Sequence, residues 1–202
     1  MATKKNRLLY QLKVTLRDIN PPIWRRIQVW EDMTLAQLHR ILQVVMGWED
    51  YHLHEFQIGR RVYAVPDPDD ALYERRVIDE RRQRLQQVLP RVGVSFEYRY
   101  DFGDDWQHDV LLEAAVLPDP QKQYPRCLEG ERSGPPEDVG GPLGYQLYLE
   151  AMVAPGHKEH KNMLQWRGPF DPELFSVAAV NKQLSRKFRA KSNTSKSCQS
   201  LQ

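Results

Sequence analysis

Two runs of alternating apolar and polar residues, separated by a double proline, constrain the opening of this chain more than any other feature. In residues 10–16 every second side chain is apolar, which is the period of a strand with one solvent-facing side. Residues 23–30 alternate in the same way after Asn20-Pro21-Pro22, where the prolines fix a turn and cannot extend the ladder. The two runs are therefore predicted to pair as an antiparallel hairpin.

A helical pattern follows the hairpin. Thr34 and Gln37 form a capping-box pair, and apolar residues recur at helical spacing from Leu35 to Met46, until Gly47 ends the run. A hairpin followed by an amphipathic helix is typical of a β-grasp-like roll. The predicted fold class is α+β: a single-domain α/β roll with this β-grasp-like opening, further antiparallel strands, and C-terminal helices packed on the sheet.

Less regular segments complete the predicted architecture. Further strands are predicted at residues 52–58, 61–65, 94–100 and 106–117. Helices are predicted at 73–89, where charges of both signs alternate, at 145–153, at 157–165, and after Asp171 and Pro172 as N-cap and first residue. Residues 118–143 are rich in proline and glycine and are predicted to be a long loop. One domain is expected over residues 1–188, with a disordered polar and basic tail over residues 189–202.

Composition and charge exclude several classes of protein. The 202 residues are enough for one buried core, and 29 Lys and Arg against 27 Asp and Glu do not force an anionic partner. Two distant cysteines favour a reducing compartment over a disulfide framework. No apolar run approaches the roughly 20 residues of a membrane span, and the start leads into a strand rather than a signal peptide. A cytoplasmic location without a membrane partner is predicted.

The densest polar chemistry lies in two predicted corners. Residues 98–108 read Tyr-Arg-Tyr-Asp-Phe-Gly-Asp-Asp-Trp-Gln-His, and residues 134–141 read Gly-Pro-Pro-Glu-Asp-Val-Gly-Gly. Carboxylates in such a cluster suit magnesium or a general base in phosphodiester hydrolysis, although aspartates around a glycine also build turns. The candidate catalytic residues are Asp101, Asp104, Asp105, His108, Glu137 and Asp138. The structural alternative is two rigid corners that anchor loops on the core.

A metal site is a further hypothesis. His52 and His54 are two residues apart on a predicted strand, which directs both imidazoles to one face, as paired ligands require. With His108, Cys127 and Glu137 or Asp138 as further donors they form a candidate site for zinc, manganese or magnesium. The alternative is that these histidines only form hydrogen bonds with their neighbours. Sequence spacing does not establish whether these residues converge.

A basic segment near the C-terminus is the best candidate for contact with nucleic acid. It is not interrupted by any acidic residue, so its cations are free for phosphate contacts. The candidate residues are Lys182, Arg186, Lys187, Arg189 and Lys191. The alternative is a solvated surface and a soluble tail.

Several motifs in a fixed order resemble one known family. They are Pro22-Ile23-Trp24-Arg25-Arg26, residues 35–48, His52-Leu53-His54-Glu55-Phe56, residues 100–108, residues 135–141, and Phe170-Asp171-Pro172. Together they span about residues 8–188 and resemble the plasmid pRi open-reading-frame-three-like family. The resemblance implies an α/β roll and an association with plasmids and insertion elements, where some members are labelled transposon passenger or resolvase-like proteins.

Two details limit what the resemblance implies about chemistry. No serine or tyrosine nucleophile stands in the arginine-rich constellation that a recombinase needs, so the resolvase label is taken as genomic neighbourhood. Members commonly carry a second cysteine shortly before Pro-Pro-Glu-Asp, whereas this chain has Ser133 after Cys127. A thiolate-pair metal site is therefore not expected.

Three functions are carried forward from the sequence. The first is a non-enzymatic accessory module of a plasmid or mobile element, which binds a peptide, a partner protein or a small polar ligand between the two corners. The second is a metal-dependent hydrolase or nuclease that uses the corner from Asp101 to His108. The third is a nucleic-acid-binding protein that uses the basic C-terminal segment.

Overall fold

One eight-stranded sheet forms the centre of the fold. The computed structural model describes residues 7–71 and 76–188. The strands are β1 (Leu9–Leu16), β2 (Trp24–Trp30), β3 (His54–Ile58), β4 (Arg61–Ala64), β5 (Val77–Asp79), β6 (Ser95–Tyr100), β7 (Trp106–Val116) and β8 (Arg126–Glu131). Their order across the sheet is β5-β4-β3-β6-β7-β1-β2-β8, and all neighbours are antiparallel except β4 and β5.

The opening hairpin forms as predicted and lies inside the sheet. Leu12 of β1 faces Ile27 of β2 across the ladder, and β1 pairs with β7 on its other side. Leu12, Val14 and Ile27 are completely buried, whereas the alternate residues of both strands are partly exposed. The sheet therefore has one apolar face, on which the core is built.

The predicted helix also forms, as α1 (Leu35–Met46). The Thr34 side chain accepts a hydrogen bond from the Gln37 backbone N–H, and the Gln37 side chain accepts one from the Thr34 backbone N–H. Such a cap contributes about 1 kcal/mol. The helix ends at Gly47, whose φ of +87° is the left-handed conformation that glycine adopts without strain. Its apolar residues join the buried residues of the sheet in one core.

An arginine lies inside this core. Arg25 of β2 is 1% exposed, and its guanidinium donates hydrogen bonds to the backbone carbonyls of Val45, Glu131 and Arg132 and of the adjacent Trp24. Burial lowers its pKa to about 10. Arg25 therefore ties β2 to the end of α1 and to the end of β8, a role that alternation within a strand does not reveal.

Within residues 7–71 and 76–188, four α-helices follow α1. They are α2 (Leu85–Val88), α3 (Gly141–Val153), α4 (His160–Arg167) and α5 (Val177–Lys187). α5 covers the free edge of β8, where the Asn181 side chain accepts a hydrogen bond from the Cys127 N–H and donates one to the Cys127 carbonyl. One side chain thus supplies the pair of bonds that another strand would make, which protects the edge.

The α+β class is confirmed, but three predicted elements are wrong. Instead of a helix over 73–89, Val77–Asp79 pairs with β4, and a 3₁₀ turn and α2 follow. The alternating charges indicated a helix, but pairing with β4 outweighs the local helical preference of these residues. Asp171 caps only a turn, and the last helix begins after Ser176, which accepts from the Ala179 N–H. The loop predicted at 118–143 contains β8, which is hard to detect because it is short and polar.

Some predictions fall outside the described residues. The tail predicted at 189–202 lies there, and the boundaries of the single domain stay a prediction. Among the helices that the structure describes, none has the length and apolar character needed to cross a bilayer.

Candidate functional site

The two polar corners are in direct contact. The Asp104 carboxylate accepts a hydrogen bond from the Gly140 N–H at 3.0 Å. Gly141 has a φ of +69°, and a Cβ at this residue would lie 2.4 Å from the Asp104 carbonyl oxygen. Only glycine tolerates both conditions. At this point the corners are packed together without a cleft between them.

Sheet pairing brings His52 to the same place. β3 and β6 are antiparallel with His54 opposite Tyr100, so the residues before β3 lie beside those after β6. The Asp101 N–H donates to the Leu53 carbonyl at 2.9 Å and fixes this crossing. His52, Asp101 and Asp138 therefore come from three separate segments and form one cluster, the His52–Asp101–Asp138 cluster, whose ligand atoms lie within 4.8 Å of one another.

Asp101 divides its two oxygens between two tasks. One oxygen accepts hydrogen bonds from the N–H groups of Gly103 and Asp104, at 2.9 and 3.3 Å, and so builds the turn. The other oxygen lies 3.5 Å from Nε2 of His52. Asp101 is 6% exposed and has a φ of +56°, an unusual conformation that aspartate tolerates better than most residues. The turn and the ligand position are therefore compatible uses of this residue.

His52 faces two carboxylates without forming a hydrogen bond to either. Its Nε2 lies 3.0 Å from an Asp138 oxygen and 3.5 Å from Asp101, yet this nitrogen is buried and has no hydrogen-bond partner. Ligands bound to one ion at about 2.1 Å, with angles of 90 to 110°, are separated by about 3.0 to 3.4 Å. The two separations from His52 are thus close to the edge lengths of a coordination polyhedron.

The other acids of the corners serve the structure. Asp105 pairs with Arg99 and accepts a hydrogen bond from the Gln107 amide at 2.9 Å. One oxygen of the buried Glu137 accepts hydrogen bonds from the Tyr100 hydroxyl and from the Glu49 N–H, at 3.0 and 2.8 Å. The Asp104 carboxylate binds the Gly140 N–H of the second corner. Of the six candidate catalytic residues, only Asp101 and Asp138 present an oxygen to the cluster.

A second cluster lies near the first and involves residues of α1 and β3. His39 of α1 and His54 of β3 stack face to face, with ring centroids 3.4 Å apart and an interplanar angle of 1°. Nε2 of His39 lies 2.7 Å from an Asp50 oxygen, and Nε2 of His54 lies 2.9 Å from an oxygen of Glu80. We refer to the three residues within 4.8 Å of one another as the His39–Asp50–His54 cluster.

A closed ring of hydrogen bonds fixes His39. The Gln43 amide donates to the Tyr98 hydroxyl, which lies 2.8 Å from Nδ1 of His39, and the Asp50 N–H donates to the Gln43 carbonyl oxygen. With the Tyr98 hydroxyl donating to Nδ1, the His39 proton resides on Nε2 and faces Asp50. Burial, followed by the nearby His54, lowers the pKa of His39 to about 4, so the ring is neutral near pH 7.

Both clusters border one cavity of about 390 Å³. His52 lines it together with His39, Asp50 and His54, and the buried Glu80 is also part of its lining. Two arginines, Arg40 and Arg81, are also part of the wall. The cavity therefore combines histidine and carboxylate donors with guanidinium groups that suit an anionic ligand.

His108 and Cys127 do not join either cluster. His108 is completely buried, Nδ1 lies 3.1 Å from the Tyr98 carbonyl, and burial lowers its pKa to about 4. Cys127 is buried under α5, and burial raises its pKa to about 11, which keeps the thiol protonated. The four metal ligands predicted from sequence therefore do not form one site. His52 and His54 also fall in different clusters. Because β3 begins only at His54, the two side chains do not share one face of a strand as predicted.

The basic candidates lie elsewhere. Lys182, Arg186 and Lys187 are exposed on α5, whereas Arg189 and Lys191 lie outside the described residues. Ser133, which stands where a second cysteine is common, has its hydroxyl within hydrogen-bonding distance of the Asp171 and Leu174 carbonyls. Its hydroxyl therefore holds the turn before α5 in place.

The sequence analysis did not identify three residues of the cavity, His39, Glu80 and Asp50, as candidates. His39 gave a usable signal, because it is a polar residue among the buried residues of an amphipathic helix. Glu80 was assigned to an exposed charged helix, although it is 2% exposed. Asp50 follows the end of α1 with a φ of +64°, and no pattern indicates its role.

Comparisons with known proteins place the chain among similar sequences and folds. Residues 8–179 match the family described as plasmid pRiA4b ORF-3-like protein. The chain is 39% identical over 177 residues to the uncharacterized protein y4hQ of Sinorhizobium fredii (strain NBRC 101917 / NGR234), covering 87% of this chain and 88% of that one. It is also similar to the crystal structure of MM3350, a protein of unknown function from Methanosarcina mazei Go1. That match has 36% identity and a TM-score of 0.76, and it covers 87% of this chain and 99% of the other.

Proposed function

The chain belongs to the plasmid pRiA4b ORF-3-like family, and we propose that this plasmid-associated protein is a metal-dependent hydrolase whose ion is held by the His52–Asp101–Asp138 cluster. One observation carries the proposal. A buried imidazole nitrogen faces two carboxylate oxygens at 3.0 and 3.5 Å and makes a hydrogen bond to neither. A shared cation accounts for this arrangement.

The number of ligands favours an open site. Three protein ligands leave coordination positions for water or substrate, as in catalytic rather than structural sites. Asp138 contributes from an exposed position, with 58% of its side chain accessible, so the ion would meet solvent on that side. A divalent ion in such a site supplies a bound hydroxide near neutral pH. One nitrogen and two oxygens suit manganese, zinc or magnesium.

The neighbouring cavity indicates the class of substrate. His52 lies on the wall of the cavity that also carries Arg40 and Arg81. Arginine pairs with phosphate through a planar array of donors, so an anionic phosphodiester is the substrate class that this wall fits best. The guanidinium of Arg81 is already bonded to the Asp79 carboxylate, so Arg40 would orient the phosphate while the residues of the cluster orient the ion.

A second candidate function is the accessory binding module. A cavity of about 540 Å³ lies between α3 and α4, with Asp138 on its wall. Leu147 and Trp166, which are 56% and 44% exposed, line it. Exposed apolar residues beside a polar corner favour a peptide or protein partner. In this alternative the ion would hold the corners together without catalysing a reaction.

Manganese binding and hydrolysis of bis(4-nitrophenyl) phosphate, measured on protein purified without a histidine tag, test the proposal. We expect Mn²⁺ to raise the melting temperature and to activate hydrolysis in the wild type. Asp138→Asn should lose both effects, at least about tenfold in activation, while it keeps the fold, because Asp138 is exposed. The control Asp69→Asn, an exposed aspartate outside both clusters, should behave as wild type.

Each result assigns the function differently. Equal Mn²⁺ stabilisation of the wild type and of Asp138→Asn would exclude the cluster as the metal site. Metal binding that depends on Asp138 but produces no hydrolysis would favour the accessory module over the hydrolase.

A further inference from the structure

We propose that the chain holds a second divalent cation, bound by the His39–Asp50–His54 cluster, which lines the same cavity as His52. The ligands would be two imidazoles and one carboxylate. This site is separate from the one that the hydrolase proposal requires, and each can exist without the other.

The outer hydrogen bonds of both histidines leave one nitrogen of each for a ligand. His54 Nε2 lies 2.9 Å from the buried Glu80 carboxylate, so its proton resides there and Nδ1 carries the lone pair. Nε2 of His39 faces the cluster, and a cation bound there would require the tautomer with the proton on Nδ1, which would then donate to the Tyr98 hydroxyl oxygen in place of accepting from it. Histidines that bind metal ions typically donate their other N–H to a carboxylate or a similar partner. Glu80 and Tyr98 are thus positioning residues.

Asp50 supplies the carboxylate. Its oxygen lies 2.7 Å from Nε2 of His39, and its backbone N–H is tied to Gln43, which also holds Tyr98. One ring of hydrogen bonds therefore fixes the positions of both Asp50 and His39. Since 53% of the Asp50 side chain is accessible, an ion could enter from the solvent side.

Charge also favours an ion. The carboxylates of Asp50 and Glu80 both lie against the imidazole pair, and a divalent cation would balance them. Glu80 is 2% exposed, and its partner is His54. A buried carboxylate requires compensation of this kind.

The donor set selects a different metal from the first cluster. Two nitrogens and one oxygen suit zinc or iron(II), whereas the oxygen-rich His52–Asp101–Asp138 cluster also accepts magnesium and manganese. Because the rings are parallel, a shared ion would require the His54 imidazole to turn toward that of His39, which its hydrogen bonds hold in place.

Zinc content per chain tests the inference. The untagged full chain is loaded with Zn²⁺, dialysed and analysed for zinc, and folding is checked by circular dichroism. We expect two zinc ions per wild-type chain and one in His54→Gln. The control His157→Gln removes an exposed histidine outside both clusters and should keep two. Asp50→Asn, at a half-exposed side chain, serves as a second variant if His54→Gln does not fold.

The outcomes separate the two proposed sites. One zinc ion that is lost in His54→Gln and retained in His52→Gln supports this inference and contradicts the hydrolase site. One zinc ion that is lost in His52→Gln and retained in both His54→Gln and Asp50→Asn overturns this inference and keeps the hydrolase site. A wild type that binds no zinc overturns this inference, whereas the hydrolase site is decided by the Mn²⁺ experiment.

Discussion

At the scale of single residues, the chemistry of the corners depends on how each carboxylate divides its contacts. From the sequence, Asp101, Asp104 and Asp105 were candidate catalytic residues that could not be told apart. The structure distinguishes them, because Asp104 and Asp105 are occupied by Gly140 and Arg99, whereas Asp101 keeps one oxygen for His52. Which oxygen of an aspartate faces a neighbour is a matter of tertiary contact and cannot be predicted from spacing.

The burial of His108 predicts how the free energy of unfolding depends on pH in acid. Burial lowers its pKa to about 4, whereas a histidine in the unfolded chain titrates near 6.5. Between these values the unfolded chain binds a proton that the folded chain does not. The free energy of unfolding should therefore be unaffected by this group above pH 6.5 and fall by on the order of 3 kcal/mol as the pH drops to 4.

Denaturant unfolding of the wild type and of His108→Gln over this pH range measures the effect. Glutamine does not titrate and still offers a donor for the Tyr98 carbonyl, so the variant should lose less stability on acidification. His157→Gln, at an exposed site, should follow the wild-type curve. Identical pH dependence of the wild type and His108→Gln would show that His108 is not buried in its neutral form.

At the scale of elements, regular periodicity was a reliable guide and charge pattern was not. The opening hairpin and α1 were predictable because alternation and a capping box are local signals. Residues 77–89 were not, because Val77–Asp79 forms a strand only by pairing with β4. Glu80 then turns inward to His54, where a helix would have left it in solvent.

The contact between the corners also belongs to this scale, and Gly141→Ala tests it. The left-handed φ and the 2.4 Å approach to the Asp104 carbonyl should together cost at least about 2 kcal/mol of folding free energy. Because the loop that carries Asp138 is displaced, Mn²⁺ binding should weaken as well. Thermal unfolding with and without Mn²⁺ measures both.

Gly156→Ala provides the matched control. A Cβ at Gly156 meets nothing within 4 Å, so stability should change by less than about 0.5 kcal/mol and Mn²⁺ binding should be retained. Equal behaviour of the two variants would contradict the tight contact at Gly141.

At the scale of the whole molecule, the order of strands creates both clusters. β3 pairs with β6, so the segment from Asp50 to His54 is placed beside the aspartate corner, and His39 of α1 lies against Asp50 and His54 of the same segment. Sequence identified His52, Asp101 and Asp138 as candidates, yet it could not bring them together. Pairing between β3 and β6 spans more than forty residues and leaves no local trace.

The central claim is that one ion lies between His52, Asp101 and Asp138. Crystals grown or soaked with Mn²⁺ test it most directly, through anomalous scattering from the ion. The account predicts a peak about 2.0 to 2.4 Å from His52 Nε2 and from one oxygen of each aspartate. A map without a peak there, with His52 Nε2 hydrogen-bonded to a carboxylate instead, would contradict it.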